Sequence, residues 1–244
     1  MNKVLPLKRF GQNYLYDQNI IKKIIAEIDP KENESIIEIG PGNGALTQHL
    51  FKTKAKLTAV EIDKRVIDDL KDRFTNLNLL QYDFLDLDLK QFITTETPKL
   101  RIVGNIPYNI TSPILFKLFE HNTLISDAVF MVQLEVAKRM TAIPGLKDYG
   151  ILSVLLNYYG KTKLSFKVSP NVFYPKPNVH SAIVHIYFNE DRNNPNFNLM
   201  FKSIVKSSFG NRRKTLKKSL GNSIFAEVDF SGCDIDLSLR AEQL

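Results

Sequence analysis

Asn105-Ile106-Pro107-Tyr108 is the stretch of this chain whose residue types point most directly to a reaction. It follows an apolar run, Leu100 to Gly104, that reads as a strand. Asn105 offers a side-chain carbonyl, Pro107 stiffens the turn and keeps Ile106 extended with its own carbonyl exposed, and Tyr108 offers a flat face. These parts suit an exocyclic amine, because two acceptors take its two hydrogens while a ring stacks on the base that carries it. The N6 nitrogen of adenine is a poor nucleophile, since its lone pair is delocalised into the ring. Accepting from both hydrogens turns the nitrogen toward a tetrahedral geometry and frees the lone pair for an electrophilic methyl group. Alignment and fixed dipoles then suffice, without a strong base. The plain alternative is an Asn-Pro-type turn at a strand end.

A second constellation lies upstream. Ile36-Ile37-Glu38-Ile39 runs into Gly40-Pro41-Gly42-Asn43-Gly44, and a helical pattern follows Ala45. Glycines let such a turn bend tightly and approach a ligand closely. Roughly 20 residues on, at the end of the next strand, Glu61 can accept hydrogen bonds from ribose hydroxyls. Asp83, at the end of the third strand, is placed to accept from an adenine amino group, with a turn cap as its ordinary alternative. Together these residues read as a site for a nucleoside-containing cofactor. Gly40, Gly42 and Ala45 also satisfy the looser G-x-G-x-x-G/A dinucleotide pattern. S-adenosylmethionine and a dinucleotide both remain open on the glycines alone, while Glu38 suits an ammonium group better than a pyrophosphate.

The elements that must position these residues form an alternating series. Strand-like runs at Ser35–Ile39, Leu57–Glu61, Leu77–Tyr82, Leu100–Gly104 and Ala128–Gln133 are separated by helical patterns that begin after Asp17, Ala45, Asp63, Ser112 and Leu134. Asp17 and Asp63 are suited to cap their helices. Strands separated by helices imply an α/β fold with a mainly parallel sheet covered on both faces. Lys163–Val168 and Ser181–Phe188 flank a Pro-rich loop and predict a hairpin-like addition at the sheet edge. The polar stretch Asn189 to Pro195 is the best linker, which divides the chain into residues 1–191 and a helical part, 192–244. In that part Phe197, Met200, Phe201, Ile204 and Val205 form an apolar stripe, continued by Leu216 and Leu220, that reads as core.

The chain has 244 residues, 43% hydrophobic and 24% charged, enough for a large core and unlike a disordered or fibrous protein. Its net charge is +7, yet the segment Arg192 to Ala226 alone holds Arg192, Lys202, Lys206, Arg212, Arg213, Lys214, Lys217 and Lys218 with no acidic residue. The basic character is therefore local, and it fits either a polyanionic partner or a solvated helix face. The single cysteine, Cys233, forbids an internal disulfide and a Cys-based metal site, and the four histidines lack metal-ligand spacing, so no metal is expected. Met1 to Arg9 has no apolar core of a signal peptide, and the most apolar stretch, Ile151 to Tyr159, is far shorter than the roughly 20 residues of a membrane helix. These features predict a cytoplasmic chain without a membrane segment, and nothing in the sequence calls for an obligate dimer.

Phe10-Gly11-Gln12-Asn13-Tyr14-Leu15, Glu38 to Gly44, Asn105 to Tyr108, Phe173-Tyr174-Pro175-Lys176-Pro177-Asn178-Val179 and Arg212-Arg213-Lys214-Thr215-Leu216 resemble, in this order, the small-subunit ribosomal RNA adenine N6,N6-dimethyltransferases. The resemblance spans nearly the whole chain. It implies a Rossmann-like, doubly wound class I methyltransferase fold with a small helical C-terminal domain. It also implies transfer of methyl groups from S-adenosylmethionine to two adjacent adenosines in the terminal hairpin loop of small-subunit rRNA, within an immature small-subunit particle. By the same match Asn13, Leu15, Gly40, Gly42, Glu61, Asp83 and Asn105 are the cofactor contacts, and Tyr108 and Phe173 the rings that hold the target base. Phe173 lies in a proline-stiffened loop that can present an aromatic to a base drawn from its stack. Arg212, Arg213, Lys214, Lys217 and Lys218 then fit an RNA backbone, and Lys3, Lys8 and Arg9 extend that surface. Tyr14 departs from the family's usual Phe, keeping the ring and adding a hydroxyl, and Leu239 to Leu244 looks like a family motif cut short.

Three other readings compete. Large-subunit rRNA adenine methyltransferases of the macrolide-resistance type share the glycine loop and the Asn-x-Pro-Tyr element; Pro113 after Asn109-Ile110-Thr111-Ser112, with Phe209 to Leu216, favours the small-subunit group. A mainly non-catalytic assembly or transcription factor is a second, against which Asn105 and Tyr108 speak. A nicotinamide dehydrogenase is a third and lacks a recognisable hydride acceptor site.

Overall fold

The computed structural model describes residues 4–7, 11–107, 110–189 and 192–244. A two-residue strand, β1 (Tyr14–Leu15), precedes the first helix, α1 (Gln18–Ile28). Asp17 caps α1 as expected, its carboxylate accepting from the amides of Asn19 and Ile20 at 2.9 Å. Ile21, Ile24 and Ile28 recur at helical spacing and turn inward. The chain then alternates: β2 (Ser35–Ile39), α2 (Thr47–Leu50), β3 (Lys56–Glu61), α3 (Lys64–Arg73), β4 (Asn78–Gln81), β5 (Leu100–Asn105), α4 (Thr111–Glu120), β6 (Ile125–Gln133), α5 (Leu134–Met140) and α6 (Ile151–Tyr159). β7 (Gly160–Val168), β8 (Phe173–Tyr174), β9 (Ser181–Phe188), α7 (Pro195–Phe209) and α8 (Leu216–Gly221) complete it. Asp63 caps α3. α2 is a single turn rather than the full helix expected after Ala45, because Gly40, Gly42 and Gly44 hold the chain in turns at φ 62°, 53° and 76°.

The main sheet has seven strands in the order β4-β3-β2-β5-β6-β9-β7. The first five run parallel, and β9 is antiparallel to both neighbours. The expected edge hairpin exists with β9 inserted next to β6 and β7 outermost. Alternate residues of the central strands feed two buried clusters, one per face: Ile37, Ile102 and Phe130 on one, Ile36, Val103 and Val129 on the other. The face of Ile36 is covered by α1, and the opposite face by α4 and α6. Each fully buried Ile or Leu contributes about 1.5–3 kcal/mol. Apart from the sheet, β1 pairs antiparallel with β8, setting Tyr14 against Tyr174 and Leu15 against Phe173.

The basic C-terminal segment packs on α6. Tyr158 meets Phe201 with ring centroids 4.3 Å apart, and Val205, Phe209, Leu216 and Ala241 join the larger buried cluster. The apolar stripe read as core is only half so. Val205 is buried, while Phe197 and Met200 are each 54% exposed, although the Phe197 ring still meets Tyr158 of α6 at 6.0 Å. The expected boundary at residue 191 lies outside the described residues. Among the described residues no helix is long and apolar enough to cross a membrane.

Candidate functional site

The carboxyl ends of β2, β3, β4 and β5 open on one cavity of about 280 Å³. This is where open parallel sheets hold their ligands. The expected cofactor residues Asn13, Leu15, Gly40, Gly42, Glu61, Asp83 and Asn105 all line it, and so do Ile106 and Pro107. One wall is a strap, Gly11 to Leu15, laid across the glycine loop. A Cβ at Gly42 would stand 3.1 Å from the Tyr14 ring, so glycine there is what lets strap and loop meet. A Cβ at Gly40 would meet no protein atom within 4 Å, which leaves open space beside the backbone for a ligand.

Two buried carboxylates give the cavity its charge. Glu38 is 2% exposed and accepts from the Thr47 hydroxyl at 2.8 Å and from the Thr47 amide. Burial pushes its carboxyl up to about 7, with Glu61 adding to the rise. Glu61 is likewise buried and likewise pushed up by desolvation, although it accepts from the amides of Ile62 and Asp63 at 2.9 Å and from Gly42. Neither has a cationic partner among the described residues, so a ligand bringing an ammonium group and hydroxyl donors would supply what the protein withholds. A pyrophosphate would add like charge. This resolves the ambiguity of the glycine pattern toward S-adenosylmethionine. Asp83 caps a short 3-10 turn by accepting from Leu85 N at 2.8 Å, the ordinary alternative, and also lines the cavity.

The turn after β5 is preorganised. The Asn105 amide Nδ2 donates to the Asn13 carbonyl at 3.0 Å. Its Oδ1, an acceptor, takes no hydrogen bond from the described residues. The Pro107 carbonyl is taken by Ile110 N at 3.1 Å and the Thr111 hydroxyl at 3.4 Å, and Ile106 N donates to the Met131 carbonyl at 3.0 Å. No donor among the described residues reaches the Ile106 carbonyl, so Asn105 Oδ1 and Ile106 O remain as two acceptors on adjacent residues.

Tyr108 lies outside the described residues, as do Lys3, Lys8, Arg9 and Phe10. Phe173 is placed away from the cavity. Its ring is 4% exposed, packed with Leu15 and Ile21 in a hydrophobic cluster and absent from the cavity lining, because β8 pairs with β1 and turns it inward. Its neighbour Tyr174 is the exposed ring, at 61%. Arg212 donates to the carbonyls of Lys147 and Tyr149 at 2.8 and 3.0 Å and pairs with Glu242 at 3.1 Å, which anchors the tail while its side chain stays 46% exposed. Arg213, Lys214, Lys217 and Lys218 are exposed, without a side-chain partner among the described residues. Sequence reasoning missed Gln12, Tyr14 and Tyr82 in the cavity wall. The first two stand inside a motif quoted for its resemblance, and an exposed aromatic after a strand was the available signal for Tyr82.

The ribosomal RNA adenine dimethylase family matches residues 7–231. A protein of Francisella tularensis subsp. novicida, ribosomal RNA small subunit methyltransferase A, is 42% identical over 99% of this chain and 94% of its own length. Among solved structures, a dimethyladenosine transferase from Plasmodium falciparum is similar with a TM-score of 0.76 at 30% identity, over 87% of this chain and 76% of that one. The 23S rRNA methyltransferase ErmE follows with 0.68 at 26% identity, over 95% and 96%.

Proposed function

The chain belongs to the ribosomal RNA adenine dimethylase family, and from that premise we propose that it moves methyl groups from S-adenosylmethionine to N6 of two adjacent adenosines in the 3′-terminal hairpin loop of small-subunit rRNA. It acts in the cytoplasm, as a monomer, on an immature small-subunit particle. Residues 1–191 are the catalytic part and 192–244 the RNA-binding part, with Arg213, Lys214, Lys217 and Lys218 facing phosphates. The observation that carries the reading is the Asn105 amide: its nitrogen is spent on Asn13 O at 3.0 Å, so its oxygen remains for an amine at the edge of a cavity that holds two buried carboxylates.

Glu61 and Asp83 would hold the ribose and adenine of S-adenosylmethionine, and Glu38 its ammonium group. When bound, that cofactor supplies an electrophilic methyl group on sulfur. Asn105 Oδ1 and the Ile106 carbonyl accept the two N6 hydrogens of the target adenine, which turns its lone pair toward the cavity. The proton lost by the amine stays hydrogen-bonded to Asn105 Oδ1 until solvent takes it. Stacking on the base falls to Tyr108, since Phe173 is packed inward.

Labelled S-adenosylmethionine and unmodified small subunits, with mass mapping of the product nucleosides, test this directly. Asn105→Ala lowers methyl transfer by about 10²–10³-fold, the cost of one preorganised polar contact to the reacting group, while particle binding persists. A near-normal rate in that variant would remove Asn105 from the reaction. The structural likeness to ErmE favours a second reading, a large-subunit substrate, and a primer-extension stop in the large-subunit RNA would establish it.

A further inference from the structure

The strap that walls the cavity is tied down at one residue. Gln12 Nε2 donates to Asp63 Oδ2 at 3.2 Å, and Gln12 Oε1 accepts from Leu7 N at 2.8 Å and from the Tyr14 hydroxyl at 3.0 Å. Asp63 is itself fixed: it is 4% exposed, caps α3 through Arg65 N at 3.1 Å, and receives Arg65 Nη2 at 2.6 Å and Nε at 3.1 Å. Burial opposes ionisation there, yet the Arg65 and Gln12 hydrogen bonds hold the Asp63 carboxyl below its ordinary range. One residue beyond Gln12, the strap's Asn13 carbonyl holds the Asn105 amide. A chain of contacts therefore runs from a rigid helix cap, through one side-chain amide and one peptide unit, to the group that would accept the target amine.

The geometry points to Gln12 and Asp63 as positioning residues: they anchor the strap so that Asn13 and Leu15 wall the cofactor and Asn13 O fixes which end of the Asn105 amide faces the substrate. This rests on the reading of the cavity as an S-adenosylmethionine site with Asn105 as amine acceptor. The direction of the Gln12–Asp63 hydrogen bond is set by chemistry, since an ionised carboxylate only accepts and the Gln12 oxygen is already occupied by two donors. Tyr14 takes part through its hydroxyl, which a Phe in its place would lack.

Gln12→Glu keeps the two acceptor contacts of residue 12 and sets a carboxylate against Asp63. In the full chain, calorimetry with S-adenosylhomocysteine should show an affinity loss of about tenfold, the scale of one buried hydrogen bond. The kcat at saturating S-adenosylmethionine should fall by a further tenfold or so while the melting temperature holds, a split that a merely structural role does not produce. Adding Asp63→Asn sets an amide donor against the carboxylate introduced at position 12 and still caps the helix through Oδ1, while Arg65 Nη2, which loses Oδ2, turns to that carboxylate. The double variant should therefore recover to within about threefold of the parent, a coupling that distant, independent sites do not show. Gln12→Met, which removes the hydrogen bonds without adding charge, should lose affinity and kcat in the same direction. If Gln12→Glu and Gln12→Met bind and turn over like the parent, or if the losses of Gln12→Glu and Asp63→Asn multiply in the double variant, the anchor is wrong. Failure of the parent chain to bind S-adenosylhomocysteine would instead overturn the cofactor reading itself.

Discussion

Buried carboxylates stand at both ends of the parallel strands, and the protein treats them in opposite ways. At the carboxyl ends, Glu38 and Glu61 meet a hydroxyl and main-chain amides but no cation among the described residues, and burial pushes both carboxyls up. At the amino ends, Asp127 is as buried, yet Arg101 lies 2.7 Å from one of its oxygens and His185 2.7 Å from the other. Arg101 also reaches Glu34 at 2.7 Å, and His185 reaches Glu27 at 2.9 Å. Burial opposes ionisation of Asp127 and Glu27 too, but hydrogen bonds, Arg101 and His185 to the first and His185 and Lys163 among those to the second, bring both below the ordinary range. Carboxylates at similar depth are thus paired with cations where they hold the fold together and left without one where the cavity opens, the setting in which a cationic ligand would be favoured.

The strongest way to break this contrast is to remove a cation from the closed end. Arg101→Met takes the guanidinium from Asp127 and Glu34, leaves His185 as the ring partner of Asp127, and should cost about 3–5 kcal/mol in urea unfolding, with S-adenosylhomocysteine affinity retained where the chain stays folded. A loss below about 1 kcal/mol would make the network decorative. The open end answers to pH. Glu38 ionises near 4.5 in the unfolded chain and near 7 in the folded one, so stability present below the first value is lost as pH rises through the second. That loss amounts to about 3 kcal/mol, and Glu38→Gln should flatten it in the absence of cofactor. An identical slope between pH 5 and 7.5 in parent and variant would return Glu38 to an ordinary buried acid. The smallest expected effect carries the distinction to the positive charges of the tail. Lys214→Ala, Lys217→Ala and Lys218→Ala should each reduce the salt slope of RNA binding by about one unit, whereas Arg212→Ala should loosen the tail and leave the slope alone. Equal slopes throughout would make these lysines a solvated face.

Much of the pocket was legible because its residues sit where local signals are strongest. Glu61 and Asn105 each end a strand, Asp83 lies two residues past one, and the glycines announce a turn that suits them. Asn13 and Leu15 entered through resemblance alone. The Gln12–Asp63 contact spans 51 positions and has no local signature. Phe173 misled for a physical reason: prolines suggest a presented loop, but its burial depends on pairing with Leu15, near the other end of the chain. The network of Arg101, Asp127 and His185 was invisible for the same cause, since three charged or polar residues in separate strands look individually like surface. The edge addition of β7 and β9 was legible, but which of the two strands lies outermost was not.

That insertion leaves β7 as the last strand on its side, and Lys161, Lys163 and Lys167 stand exposed along it. A second molecule seeking to extend the sheet by main-chain pairing would bring lysines against lysines, and repulsion at such a border discourages growth into fibres. The rim that closes the architecture thereby carries charge against edge-to-edge association.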